Sequence, residues 1–98
     1  MFLINSTIQN ALINNIIVIF IFIIINSIFF HNDNTSFNGA KNYLDIIYFT
    51  TNTHSTIGYG DITPNKYNTK ITSICHHIII ILLNIQLLFL FINIDKNN

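Results

Sequence analysis

Thr53, His54, Ser55, Thr56, Ile57, Gly58, Tyr59, Gly60 and Asp61 form one uninterrupted run, which holds two of the chain's three glycines. Gly58 and Gly60 flank an aromatic. Glycine alternating with a larger residue lets successive carbonyls point the same way, because glycine takes backbone conformations that other residues resist. A row of carbonyl oxygens can replace the water around a cation. The chemistry open to this run is therefore coordination of a desolvated cation by backbone oxygen. A bare Gly-x-Gly reads more simply as a tight turn. The longer pattern, set between two long apolar segments, favours the coordinating reading.

The elements that must position this run follow from composition. The chain has 98 residues, enough for a single domain over 1–98. Half of them, 51%, are hydrophobic and only 8% are charged, too few to give a soluble chain of this size a polar surface. Asp33, Lys41, Asp45, Asp61, Lys66 and Lys70 fall in the middle, and Asp95 and Lys96 near the end. No charged side chain lies between Met1 and Asn32 or between Ile71 and Ile94, which is a membrane distribution. A net charge of +0 without a basic cluster argues against nucleic acid as a partner. Arginine is absent, so there is no arginine-rich voltage-sensing helix. Cys75 is alone and sits in an apolar run, where a buried or lipid-facing thiol is expected.

Residues 13–30 form the first expected span, about 18 residues and roughly 27 Å of helix. A cleaved signal peptide would want a positive start and a small-residue cleavage site, and neither is evident. Asn14, Asn15 and Asn26 are polar for a span and are expected to face the bundle interior or the interface. The first twelve residues read either as an interfacial helix or as the start of that span. Asn5-Ser6-Thr7 and Asn34-Thr35-Ser36 match glycosylation sequons, a match common by chance in so asparagine-rich a chain. Residues 31–40 form a polar loop turning at Asn38-Gly39.

Residues 42–53 read as a helix with Asn42 as N-cap and Asp45 three positions on. Its length, roughly 18 Å, is too short to span. A re-entrant segment fits, with the glycine-bearing run returning from it. Irregular backbone is tolerated inside a membrane only where protein buries it or where it lines a water-filled path. Pro64 suits the exit turn. Residues 71–94 form the second span, about 24 residues or roughly 36 Å. Ser73, His77, Ile80, Asn84, Leu88 and Phe91 recur at three- and four-residue steps and share a face, the candidate lining of a water-filled cavity. His76 is one position round and is expected to point at a neighbouring helix. Adjacent histidines project about 100° apart on a helix and make no i, i+4 metal pair, and no nucleophile–base arrangement is evident, so an enzyme is not expected.

The order span, re-entrant helix, Thr-x-x-Thr-Ile-Gly-Tyr-Gly-Asp, exit turn, span resembles the two-transmembrane potassium channel pore module. It is most similar to the miniature potassium channels of large algal viruses, which also carry a histidine in the second span, matched here to His77. Thr56 to Gly60 differs from the potassium-filter sequence TVGYG only by Ile for Val. The resemblance implies an all-α membrane protein in a host or viral membrane: two transmembrane helices, a re-entrant pore helix and a filter loop at 56–60, assembled as a homotetramer among membrane lipids. It implies potassium coordinated by the carbonyls of Thr56, Ile57, Gly58 and Tyr59, with Gly60 completing the filter, and Thr53, Ser55 and Asp61 supporting it or its outer mouth. It implies no cofactor beyond the permeant ion. Three lysines in the middle loop against one in the tail would put the loop in the cytoplasm by the positive-inside rule, whereas the family places it outside, the orientation adopted here. Many cellular channels bind the filter aspartate with a pore-helix tryptophan. Tyr48 and Phe49 occupy that region, and Asn52 is the side chain expected to serve Asp61. The competing reading is a non-selective viroporin or holin-like permeabiliser, which accounts for size and hydrophobicity but not for the glycine-bearing run.

Overall fold

A computed structural model describes residues 2–97. Three helices and one short ladder make up the chain: α1 Phe2–Asn32, β1 Phe37–Asn38, α2 Tyr43–His54, β2 Thr63–Pro64 and α3 Tyr67–Asn97. α1 and α3 each run 31 residues, roughly 46 Å of helix. Residues 2–12 join the first span without a break, so the small polar residues there continue the helix. α3 likewise starts ahead of residue 71. Thr69 is fully buried, accepts from the Lys66 N–H at 3.0 Å and donates to the Ser36 carbonyl at 3.1 Å, which fastens the start of α3 to the loop after α1.

Both long helices contain a stretch apolar enough to cross a membrane, Thr7–Asn32 and Tyr67–Asn93. Only 11% of the apolar window in each is buried within the chain, so most of the apolar surface faces outward, unlike the core helix of a soluble protein. Ile13, Ile17, Phe20 and Ile24 on α1 and Ile74, Ile78, Leu82 and Phe89 on α3 are all exposed.

α2 forms as its sequence suggests. The Asn42 side chain accepts from the Asp45 N–H at 3.0 Å, capping the first turn. The return bond lands one residue earlier than in a capping box, from the Lys41 N–H to Asp45 Oδ2 at 2.7 Å. Ile46 and Phe49 of α2 pack with Phe30, Phe37 and Ile62 in the one buried apolar cluster among the described residues, with Phe29 and Ala40 against it. That cluster lies where the end of α1, both strands and α2 meet. β1 and β2 pair antiparallel, Phe37 opposite Pro64 and Asn38 opposite Thr63. Asn65 adds bonds to the Ser36 and Thr35 carbonyls at 2.8 and 2.9 Å. The exit turn is thereby held to the loop after α1, and the run between α2 and β2 is fixed at both ends.

Asn26 is buried on α1 and donates to the Thr50 hydroxyl at 2.9 Å. Asn15 also turns inward, as expected. Asn14, next to it in sequence, lies on another face of the helix and is exposed in the single chain. Cys75 is a free, exposed thiol.

Candidate functional site

α2 ends inside the fold, and its last carbonyls are taken up by the run that follows. The N–H groups of Ser55, Thr56 and Ile57 donate to the carbonyls of Thr51, Thr53 and Asn52 at 3.0, 3.0 and 3.2 Å. The backbone then changes character. Thr56, Gly58 and Gly60 have φ of 63°, 64° and 82°, whereas Ile57 and Tyr59 between them are not at positive φ. Alternating handedness at every second residue turns successive peptide planes the same way, so their oxygens can line one side. Thr56 adopts this conformation despite its Cβ, a cost of order 1–3 kcal/mol that only a surrounding over-determined structure sustains.

Asn52 supplies part of that structure. It is buried on α2, and its Oδ1 accepts from the N–H groups of Gly58 and Tyr59 at 2.9 and 3.4 Å. The expected contact from Asn52 to Asp61 is not made. Asp61 Oδ2 instead accepts from the Tyr48 hydroxyl at 3.0 Å, and Oδ1 from the N–H of Ile62 at 3.1 Å. The turn after α2 carries the peptide at Gly58 over Asn52, while Tyr48, one turn earlier, is long enough to reach the far end of the run. The Tyr48 and Tyr59 rings are parallel, with centroids 6.3 Å apart. The Thr56 hydroxyl donates to the Ser55 carbonyl at 2.6 Å, and the Ser55 hydroxyl to the Asn52 carbonyl at 3.1 Å.

Residues 55–61 are exposed along one side of the chain. Below Thr56 lies an open groove of about 350 Å³ lined by Thr53, Thr56, Gly58, His77, Ile80, Ile81 and Asn84. Of the cavity face read on the second span, His77, Ile80 and Asn84 are thus brought to the run. Ser73 is buried behind it, in a smaller recess of about 180 Å³ shared with Asn52 and Gly60. Leu88 and Phe91 are exposed farther along α3 and do not line either space.

His76 points away from that groove, to α1 and α2. It stacks on Phe22 with centroids 4.1 Å apart and planes 5° apart, and its Nε2 lies 3.1 Å from His54 Nδ1. His54 Nε2 in turn lies 3.0 Å from Asn15 Oδ1. The pairing of His54 with His76 was not foreseen; the polarity of Asn15 within an apolar span was the available signal. His31, in the last turn of α1, is exposed, and its Nδ1 meets the Tyr43 hydroxyl at 2.8 Å.

Comparison with known proteins agrees with this geometry. A family model described as an ion channel matches residues 16–94. The potassium channel protein kcv of Paramecium bursaria Chlorella virus 1 is 47% identical over 34 residues, 35% of this chain and 36% of that protein. The chain therefore spans about a third of the length of the curated relative it matches. No solved structure matches.

Proposed function

The chain belongs to the ion channel family and is an integral membrane protein, and on that premise we propose that it conducts potassium selectively through a pore of four identical copies. The observation that carries this reading is the alternation of positive φ at Thr56, Gly58 and Gly60. In this reading the carbonyls of Thr56, Ile57, Gly58 and Tyr59 stand as successive rings, each copy giving one oxygen to each ring. The carbonyls replace the hydration shell of the ion, and repulsion between ions in adjacent sites lets tightly held ions leave. A single chain supplies a quarter of each ring, so conduction needs the tetramer. That requirement also accounts for the exposure of residues 55–61, which would face the axis.

The Thr56 hydroxyl closes the cavity side. Asp61 at the other end concentrates cations at the mouth, which the family's orientation puts outside. The C-terminal end of α2 points its partial negative charge toward the cavity, where a cation would wait. His77, Ile80 and Asn84 line that cavity, and the apolar outer faces of α1 and α3 meet lipid and neighbouring copies. Potassium is the permeant ion, and no cofactor takes part.

Recording from the purified protein in a planar bilayer, with potassium on one side and sodium on the other, tests the proposal. A reversal potential that tracks the potassium gradient is expected. Equal permeability to the two ions would overturn selectivity and favour the viroporin reading, in which replacing Thr56 or Gly58 has no effect. Absence of current from the chain alone would favour a regulatory subunit.

A further inference from the structure

Three helices meet at one polar contact that the filter itself does not use. Asn15 comes from α1, His54 from the last turn of α2 and His76 from α3. His76 is the most deeply buried of the chain's four histidines, and Phe22 covers its ring face. The hydrogens in this contact can be assigned. Asn15 Nδ2 donates to the Ala11 carbonyl at 2.9 Å, which leaves Oδ1 toward His54. An amide oxygen only accepts, so His54 Nε2 carries a hydrogen. A neutral His54 then has a bare Nδ1, and His76 Nε2 must donate to it. Two N–H donors meet two acceptors, and the chain of bonds runs His76 to His54 to Asn15.

We propose that Asn15, His54 and His76 are positioning residues for the conduction filter, joined in a relay that is complete with both imidazoles neutral and breaks when both are charged. The inference rests on the conduction reading above. The relay's location gives it leverage: His54 is followed directly by Ser55 and Thr56, whose N–H groups complete the end of α2. Holding the His54 ring between α1 and α3 sets where the helix stops and therefore where the filter starts.

One added proton leaves an imidazole beside an imidazolium, and the bare nitrogen of the neutral ring still accepts. A second, with both rings charged, sets N–H against N–H between them and brings two like charges into contact. No carboxylate is near enough to pair with those charges. α1 has no titratable side chain before His31, and α3 none acidic before Asp95. On α2 the only acid is Asp45, at the opposite end. The remaining titratable groups nearby are His77, turned to the groove below Thr56, and the exposed thiol of Cys75. Tyr59 and Asp61 belong to the outer half of the run, with Tyr48 beside them. The partial negative charge at the end of α2 is the one group that favours a proton on His54, and as a fractional charge it does not replace a counter-ion.

The test compares pH profiles of potassium current in bilayers from about pH 7.5 to about pH 5, the range in which histidine titrates. Wild-type current is expected to fall by about tenfold or more across it. Glutamine presents a donor and an acceptor and does not titrate. His54→Gln and His76→Gln are expected to conduct at neutral pH with a flattened profile, and His54→Phe to lose current throughout. His31→Gln, at an exposed histidine outside both the relay and the pore, keeps the wild-type profile. If the two relay variants titrate as the wild type does, or if His77→Gln alone removes the response, the proposal is overturned. A second measurement does not depend on current. Nitrogen NMR of the detergent-solubilised chain, with labelled histidine, should show a coupling between His54 Nδ1 and His76 Nε2 at neutral pH that disappears on acidification. Its absence at neutral pH overturns the relay. Its presence in a chain that passes no potassium overturns the conduction reading and leaves the relay standing.

Discussion

Tyr48 donates its phenolic hydrogen to Asp61 Oδ2 across 3.0 Å while its ring lies parallel to that of Tyr59. One side chain of α2 therefore holds both the carboxylate at the end of the glycine-bearing run and the aromatic within it. Tyr48→Phe keeps the ring and removes the donor. Expected outcomes are normal membrane insertion and a severalfold loss of potassium over sodium permeability, about what loss of one positioning hydrogen bond gives. Bi-ionic reversal potentials measure it. The bond to Asp61, with smaller help from burial, pushes the Tyr48 phenol above the ordinary tyrosine range. A raised value means that the bond's contribution is complete below the ordinary tyrosine value, near pH 10, and is lost as pH rises through the folded one. Wild-type selectivity is therefore expected to hold into the alkaline range and to fail where that phenol ionises.

Asn52 faces the same run from behind and holds its backbone. Asn52→Leu fits the buried space but leaves the N–H groups of Gly58 and Tyr59 without their acceptor. Leaving a buried donor unpaired costs about 1–3 kcal/mol. Selective current should be lost while the helices still insert. Asn52→Asp retains an acceptor at the same place and should restore current. Single-channel recording of both variants, beside circular dichroism in detergent, separates loss of the filter from loss of the fold.

These two residues also show what the sequence made legible. The alternation at residues 56–60 was readable because glycine at 58 and 60 reports backbone conformation directly. The start of α2 was readable because Asn42 and Asp45 act locally, three residues apart. The target of Asn52 was not, because it is set by the turn after α2, which brings a peptide six residues on to its side chain, and no helical or strand period describes that reach. The same holds for His54 and His76, 22 residues apart, and for Asn15, 39 residues from His54. Spacing placed His77, Ile80 and Asn84 on one face with Leu88 and Phe91, which lie beyond the groove of the single chain. The early start of α1 was one of two readings left open, because Asn5, Ser6 and Thr7 interrupt its apolar pattern.

Asn26 and Thr50 test how α1 and α2 are joined. Asn26 Nδ2 donates to Thr50 Oγ1 at 2.9 Å, and Thr50 passes its own hydrogen to the Ile46 carbonyl at 2.8 Å. Interhelical bonds of this kind inside membranes contribute about 0.6 to 2 kcal/mol. Thr50→Val should destabilise by that order, because it strands the Asn26 amide. Asn26→Leu alone should cost less, since Thr50 keeps its carbonyl partner. The double variant should recover part of the loss from Thr50→Val, giving a coupling of about 0.5–3 kcal/mol. Unfolding of the four proteins in a graded series of denaturing detergent measures it. Strict additivity would show that the bond contributes nothing.

Gly39 and Gly58 both have positive φ, 86° and 64°, yet replacing each by alanine should fail in a different way. A Cβ at Gly58 meets nothing within 4 Å in the chain, so the cost there is conformational, about 1–2 kcal/mol for a left-handed residue with a side chain. That penalty falls on the backbone of residues 56–60 alone. Gly58→Ala is expected to abolish selective current and leave insertion, helix content and thermal behaviour close to wild type. A Cβ at Gly39 would stand 2.5 Å from the Asp61 carbonyl oxygen and 3.7 Å from Ile62. The first is backbone just ahead of the β1–β2 pairing and the second a side chain packed in the Phe37–Ile62 cluster, so neither can step aside. Gly39→Ala is therefore expected to unseat the loop after α1 from the exit turn and to lower the unfolding midpoint as well as the current. Thermal unfolding followed by circular dichroism, run beside bilayer recording, distinguishes them. A Gly58→Ala chain that conducts potassium selectively would remove the filter from residues 56–60, and a Gly39→Ala chain as stable as the wild type would show that the loop has another way to pass Asp61.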